Sequence, residues 1–128
     1  MTRKLWFPLL LLSTAAFAHH AYTAEFDTTK PIKLTGVLTK VEWTNPHARF
    51  YIDVKDEKGK VTTWNFELAS PNVLTRNGWT RHSLQEGDEI SVSGSMAKDG
   101  SNLANARTVT LADGRKVFAG SATDNDKK

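Results

Sequence analysis

The chain has 128 residues, 24% of them charged and 39% hydrophobic, the profile of one ordinary soluble domain, which excludes multi-domain and polytopic organisation. Lys and Arg number 17 against 14 Asp and Glu, and loss of Arg3 and Lys4 with the leader described next leaves the remainder nearly neutral. Its charges are dispersed in mixed-sign runs such as Lys55-Asp56-Glu57-Lys58, without the basic stripe of a nucleic-acid binder, and the lack of cysteine excludes disulfides, thiolate metal sites and cysteine nucleophiles.

Residues 1–18 form a secretory signal peptide in sequence terms. A basic start at Arg3 and Lys4 is followed by an apolar stretch from Leu5 to Leu12 and small residues ending in Ala16-Phe17-Ala18. The apolar stretch is too short for a membrane span, which needs roughly 20 apolar residues, so no membrane insertion is expected after cleavage. Cleavage after Ala18 starts the mature chain at His19-His20-Ala21-Tyr22; cleavage after Ala15 also fits the small residues and would place three residues before the histidines. The expected compartment is the periplasm.

Residues 19–31 read as an N-terminal arm. A barrel domain is expected over 32–120. In its first strand, Ile32 to Trp43, the apolar phase shifts around Gly36, as in a bulged or coiled strand. Phe50, Ile52 and Val54 alternate with polar residues in a second, half-buried strand. A turn at Asp56-Glu57-Lys58-Gly59 leads to the return strand carrying Trp64, Phe66 and Leu68. Ser70-Pro71-Asn72 opens a short helix, with serine as cap and proline at the first position, and Asn77-Gly78 closes it. Ile90 and Val92 mark a fourth strand, Val109 and Leu111 a fifth, and Val117-Phe118 a short pairing strand after the turn at Ala112-Asp113-Gly114-Arg115. The tail, 121–128, is polar and expected to be disordered. Five strands with one short helix between the third and fourth predict a mainly all-β, OB-like Greek-key barrel.

Four histidines are the main candidates for chemistry. A free N-terminal His19 offers an amine and an imidazole nitrogen from one residue, His20 follows it, and imidazole suits copper, zinc or nickel. The alternative is a solvated end that binds metal only adventitiously. His47, after Asn45-Pro46 at the first turn, is the candidate third nitrogen; alternatively it hydrogen-bonds the turn backbone. His82 reads as a surface residue and Met96 as packing. Trp43 and Trp79 flank turns and, with Asn45, could line a groove, whereas Trp64 is assigned to the core by alternation. Glu42 and Glu67 are expected to be solvated on polar strand faces. No nucleophile elbow, helical histidine pair or phosphate-binding glycine loop is present, so no enzyme activity is expected.

The strings Glu42-Trp43-Thr44-Asn45-Pro46-His47, Leu68-Ala69-Ser70-Pro71-Asn72, Asn77-Gly78-Trp79-Thr80-Arg81 and Asp113-Gly114-Arg115-Lys116-Val117-Phe118, with His19-His20 after the leader, resemble a group of short exported proteins of Gram-negative bacteria catalogued as a domain of unknown function. The resemblance runs from His19 to about Gly120 and implies a single periplasmic domain; a more distant likeness is to small periplasmic OB-fold proteins, which are binding modules. The expected function is therefore a non-enzymatic periplasmic binding protein that takes up a divalent transition metal, copper foremost, through His19, His20 and His47. The alternative is a module that binds a glycan, peptide or protein partner through a groove at Trp43, Asn45 and Trp79. The expected partners are a metal ion or small ligand and a periplasmic protein, with nucleic acid excluded.

Overall fold

A computed structural model describes residues 25–120; the expected leader at 1–18, His19, His20 and the expected tail at 121–128 lie outside the described residues. Alternating apolar and polar residues build β1 (Phe26–Glu42), β2 (Arg49–Lys55) and β3 (Val61–Glu67), followed by the helix α1 (Pro71–Arg76) and by β4 (Glu89–Ala97), β5 (Leu103–Thr110) and β6 (Lys116–Phe118). The sheet order is β3-β2-β1-β4-β5-β6, and β3 also pairs with β5. That last pairing is parallel and joins Asn65, Phe66 and Glu67 to Leu103, Ala104 and Asn105, closing the sheet into a ring. The all-β, OB-like barrel expected from the sequence is the architecture observed, with β6 added beside β5.

Local chemistry explains each junction. In the β2–β3 hairpin the Asp56 carboxylate accepts from the amides of Lys58 and Lys60, both at 2.9 Å, which organises the turn. Ser70 caps α1 by accepting from the Val73 amide at 3.3 Å, with Pro71 at the first helical position. Leu74 carries the helix into the core, where Leu38, Phe50, Ile52, Phe66, Leu68, Ile90, Val92 and Val109 are buried. Phe50 and Phe66 stack there with ring centroids 5.3 Å apart.

Three expectations are corrected. First, the arm assigned to residues 19–31 includes strand: Phe26 pairs with Ala97 and Asp27 with Met96 before the register slips and resumes at Pro31. Thr28, Thr29 and Lys30 loop out in that slip, with Asp27 accepting from the Thr29 amide and hydroxyl at 2.9 and 2.6 Å, and the loop interrupts the alternation by which a strand is recognised. Second, the phase shift of β1 lies at Thr39, between Leu38 and Lys40 in the pairing with β2, not at Gly36. Gly36 serves instead where β1 crosses close to β2, since a Cβ there would sit 2.5 Å from the Asp53 carbonyl oxygen.

The third correction exchanges two tryptophans. Trp79, expected at a ligand groove, is 2% exposed and donates its indole N–H to the Phe118 carbonyl at 2.8 Å, tying the segment after α1 to β6. Trp64, expected in the core, is half-buried and packs against the core from its rim. Trp79→Ala is therefore expected to cost about 3–5 kcal/mol, the range for truncating a buried large aromatic, and Trp64→Ala clearly less. Urea unfolding followed by circular dichroism measures both, and equal losses would show that Trp79 does not anchor the barrel end.

Candidate functional site

The connection between β1 and β2, residues 43–48, is fastened to the end of β3. The Ala48 amide donates to the Ala69 carbonyl at 3.1 Å, and the Leu68 amide donates to the Ala48 carbonyl at 2.8 Å. Within this turn the Asn45–Pro46 bond is cis, Asn45 is exposed, and Trp43 is half-buried against the core. The turn thus carries Trp43, Asn45 and His47, while Trp79 is internal and contributes no surface to a ligand. His82 is exposed in the segment between α1 and β4; its amide donates to the Thr80 hydroxyl at 3.2 Å. Met96 is half-buried on β4.

His47 is held by its neighbours. Its Nδ1 lies 3.1 Å from the Leu68 carbonyl oxygen, and because a carbonyl only accepts, Nδ1 is the protonated nitrogen. In the neutral ring, Nε2 then keeps its lone pair, and no described residue hydrogen-bonds it. The side chain is 38% exposed, so that nitrogen belongs to a group solvent can reach. An Nδ1–H donated to a backbone carbonyl is the arrangement that orients metal-binding imidazoles.

Behind His47 stands a buried carboxylate that sequence reasoning placed in solvent. Glu67 is 6% exposed; its Oε1 lies 3.6 Å from His47 Nδ1 and its Oε2 accepts from Arg49 Nη2 at 2.9 Å. Arg49 Nη1 reaches the Asn65 side-chain oxygen at 3.5 Å. Strand register accounts for the cluster: Arg49 faces Glu67 across β2 and β3, and Asn105 lies beside Glu67 across β3 and β5, on the same outward side of the sheet. Burial pushes the Glu67 carboxyl above its ordinary range, the neighbouring His47 and Arg49 oppose the rise, and Glu25 adds to it. Asn105 is 1% exposed, and its Nδ2 has no hydrogen-bond partner among the described residues.

Glu67 and Arg49 depend on each other. Arg49→Met leaves the carboxylate buried without its counter-charge and is expected to cost about 2 kcal/mol, below the roughly 3–5 kcal/mol of a fully buried pair because Arg49 keeps 29% of its side chain exposed. Adding Glu67→Gln removes the stranded charge and recovers part of the loss. Urea denaturation of the two single variants and the double variant checks this; additive losses would show that the pair is not coupled.

Among the described residues no group of three or more His, Asp and Glu side chains is gathered to hold a metal ion. His47 supplies one nitrogen, and the other two candidate ligands, His19 and His20, lie outside the described residues.

The solved structure of Rim1, the mitochondrial single-stranded DNA binding protein of S. cerevisiae, is similar to 64% of this chain over 92% of its own, with a TM-score of 0.51 and 10% identity. At that identity the likeness concerns the fold. The N-terminal domain of PriB from Thermoanaerobacter tencongensis aligns with 65% of this chain and 96% of its own, at a TM-score of 0.44 and 15% identity. The structure of TiaS in complex with an isoleucine tRNA and ATP aligns with 66% of this chain and 18% of its own, at a TM-score of 0.48 and 23% identity. No curated protein matches the sequence. The exclusion of nucleic acid is corrected by the first of these structures: a protein that binds single-stranded DNA has this fold, and dispersed charge is no ground for ruling that partner out. The model of a family of unknown function, DUF6152, matches residues 8–106, and the chain belongs to that family.

Proposed function

We propose that this chain is an exported periplasmic binding protein, not an enzyme, and that it takes up a divalent transition metal, copper foremost, between His47 and the N-terminal histidines. The observation that carries this reading is the hydrogen bond from His47 Nδ1 to the Leu68 carbonyl, which leaves Nε2 as the ligating atom of an imidazole whose orientation is already set. Copper(II) accepts tetragonal nitrogen and oxygen sets. The amine and imidazole of a free His19 would supply two nitrogens at once, His20 another, and His47 Nε2 would complete the set.

Chain geometry supports the same reading. The chain ahead of β1 runs beside the end of β4, where the Glu25 carbonyl accepts from the Lys98 amide at 2.9 Å. His20 precedes Glu25 by five residues, and such a segment spans up to about 17 Å at roughly 3.3 Å each, which is the reach this reading requires of the terminal histidines. The leader at residues 1–18 supports the compartment, and the absence of a nucleophile motif in the sequence supports the non-enzymatic assignment. The rival groove reading loses one wall, because Trp79 is internal.

Calorimetric titration with copper(II) of protein recovered from the periplasm, its N-terminus verified by sequencing, tests the proposal. One site is expected. His47→Ala and a version with one alanine ahead of His19 should each weaken binding about tenfold or more, the equivalent of roughly 1.4 kcal/mol, and His82→Ala should leave it unchanged. Unaltered affinity in both the His47 variant and the extended protein would overturn the reading, as would loss in His82→Ala alone.

A further inference from the structure

Strands β1 and β4 pair along the register Pro31 to Ser95, Ile32 to Gly94 and Lys33 to Ser93. Two irregularities border this stretch. On β1, residues 28–30 loop out between Asp27 and Pro31. On β5, Thr108 pairs with Ser93 and Ala106 with Gly94, which leaves Arg107 as the extra residue of a bulge. A bulge re-aims the side chain it carries, and Arg107 lines a groove of about 460 Å³ together with Thr28, Lys33, Ser93 and Ser95.

The chemistry of this groove is one-sided. No carboxylate lines it, and both Lys33 and Arg107 are exposed without an ion-pair partner among the described residues. Lys40, Arg49 and Arg115, by contrast, are paired with Glu42, Glu67 and Asp113. The hydroxyls follow the same division. Ser91, next along β4, is bonded to Thr35 at 2.6 Å, whereas Thr28, Ser93 and Ser95 have no side-chain hydrogen bond among the described residues. The groove floor at Gly94 bears no side chain, and a Cβ there would collide with the Asn105 carbonyl oxygen. Pro31 and Ile32 add an apolar wall.

We propose that this groove binds the phosphate group of a phosphorylated ligand. Two cations without an ion pair and three hydroxyls without a side-chain hydrogen bond among the described residues supply charge-assisted hydrogen bonds to an oxyanion. Arg107 presents a planar fork suited to two of its oxygens. The volume exceeds what a bare phosphate fills, and the apolar wall accommodates the group to which the phosphate is attached. The site shares no residue with the His47 cluster, so its test is independent of the metal reading.

Amide NMR titration of the mature protein at constant ionic strength tests this, with phenyl phosphate as the first probe and sodium chloride as the control. Phenyl phosphate is expected to shift the amides of Thr28, Ser93, Gly94, Ser95 and Arg107 saturably. Lys33→Ala and Arg107→Ala should each weaken binding about tenfold, the scale of one charged hydrogen bond, and Arg107→Lys should restore only part of it. Both side chains are exposed, and retained amide dispersion shows that each variant is folded. Oligothymidylate is the second probe. Tighter binding at the same amides, lost in the same variants, places the phosphate in a strand; weaker or absent binding places it in a small ester. Shifts that chloride reproduces, saturable shifts that survive in both alanine variants, or no response to either probe would overturn the proposal.

Discussion

The short parallel ladder between β3 and β5 is the constraint on which the rest of the molecule depends. Without it the sheet would end in two open edges, with unpaired backbone groups and an apolar face wrapped around nothing. With it, Phe66 and Ala104 become core neighbours, α1 covers the barrel with Leu74, and the Ala69 amide finds the Ala119 carbonyl at 2.9 Å. The same ladder has an outward consequence. It lays Asn105 against Glu67 and takes a carboxylate that would otherwise face water into a buried place, where Arg49 becomes its necessary counter-charge. The polar cluster behind His47 is thus a by-product of barrel closure.

How much of this was legible depends on the range of the contact. The β2–β3 hairpin was readable because its turn is local: counting equally back from Asp56 and forward from Lys60 sets Phe50 opposite Phe66 and Arg49 opposite Glu67, and the Arg49–Glu67 pair was therefore available to sequence reasoning that did not use it. The helix cap at Ser70-Pro71 is equally local. The β3–β5 pairing joins segments far apart in the chain, no alternation announces it, and the burial of Glu67 and Asn105 could not be read. The Trp64 error has the same origin. Alternation correctly turned its side chain inward with Phe66 and Leu68, but the ladder that seals β3 begins one residue later, at Asn65, so Trp64 is open on one flank. Trp79 sits in a segment without periodicity, and what fixes it is core packing with its indole bond to β6 and its amide bond to the Leu74 carbonyl at 3.0 Å.

His47 illustrates a different limit. Its position after Asn45-Pro46 was enough to nominate it, and the two roles considered, a brace for the turn and a metal ligand, were treated as alternatives. The geometry makes them compatible: the bond to the Leu68 carbonyl uses one ring nitrogen and leaves the other. In a metal site the brace is what makes the ligand effective, since an imidazole that must first be ordered loses side-chain entropy on binding.

Net charge misled for a related reason. A sum over the surface records that cations and carboxylates nearly balance, but a ligand meets only charges within about a Debye length, roughly 8 Å at physiological ionic strength. On this barrel the balance is local at some places and absent at others. Lys40, Arg49 and Arg115 lie 2.9, 2.9 and 2.7 Å from a carboxylate oxygen and present little net field, while Lys33 and Arg107 share a groove that no carboxylate lines. Strand register and one bulge create that segregation, so a chain of formal net charge +3 still offers an anion two cations, without ion pairs among the described residues, in a groove that no carboxylate lines.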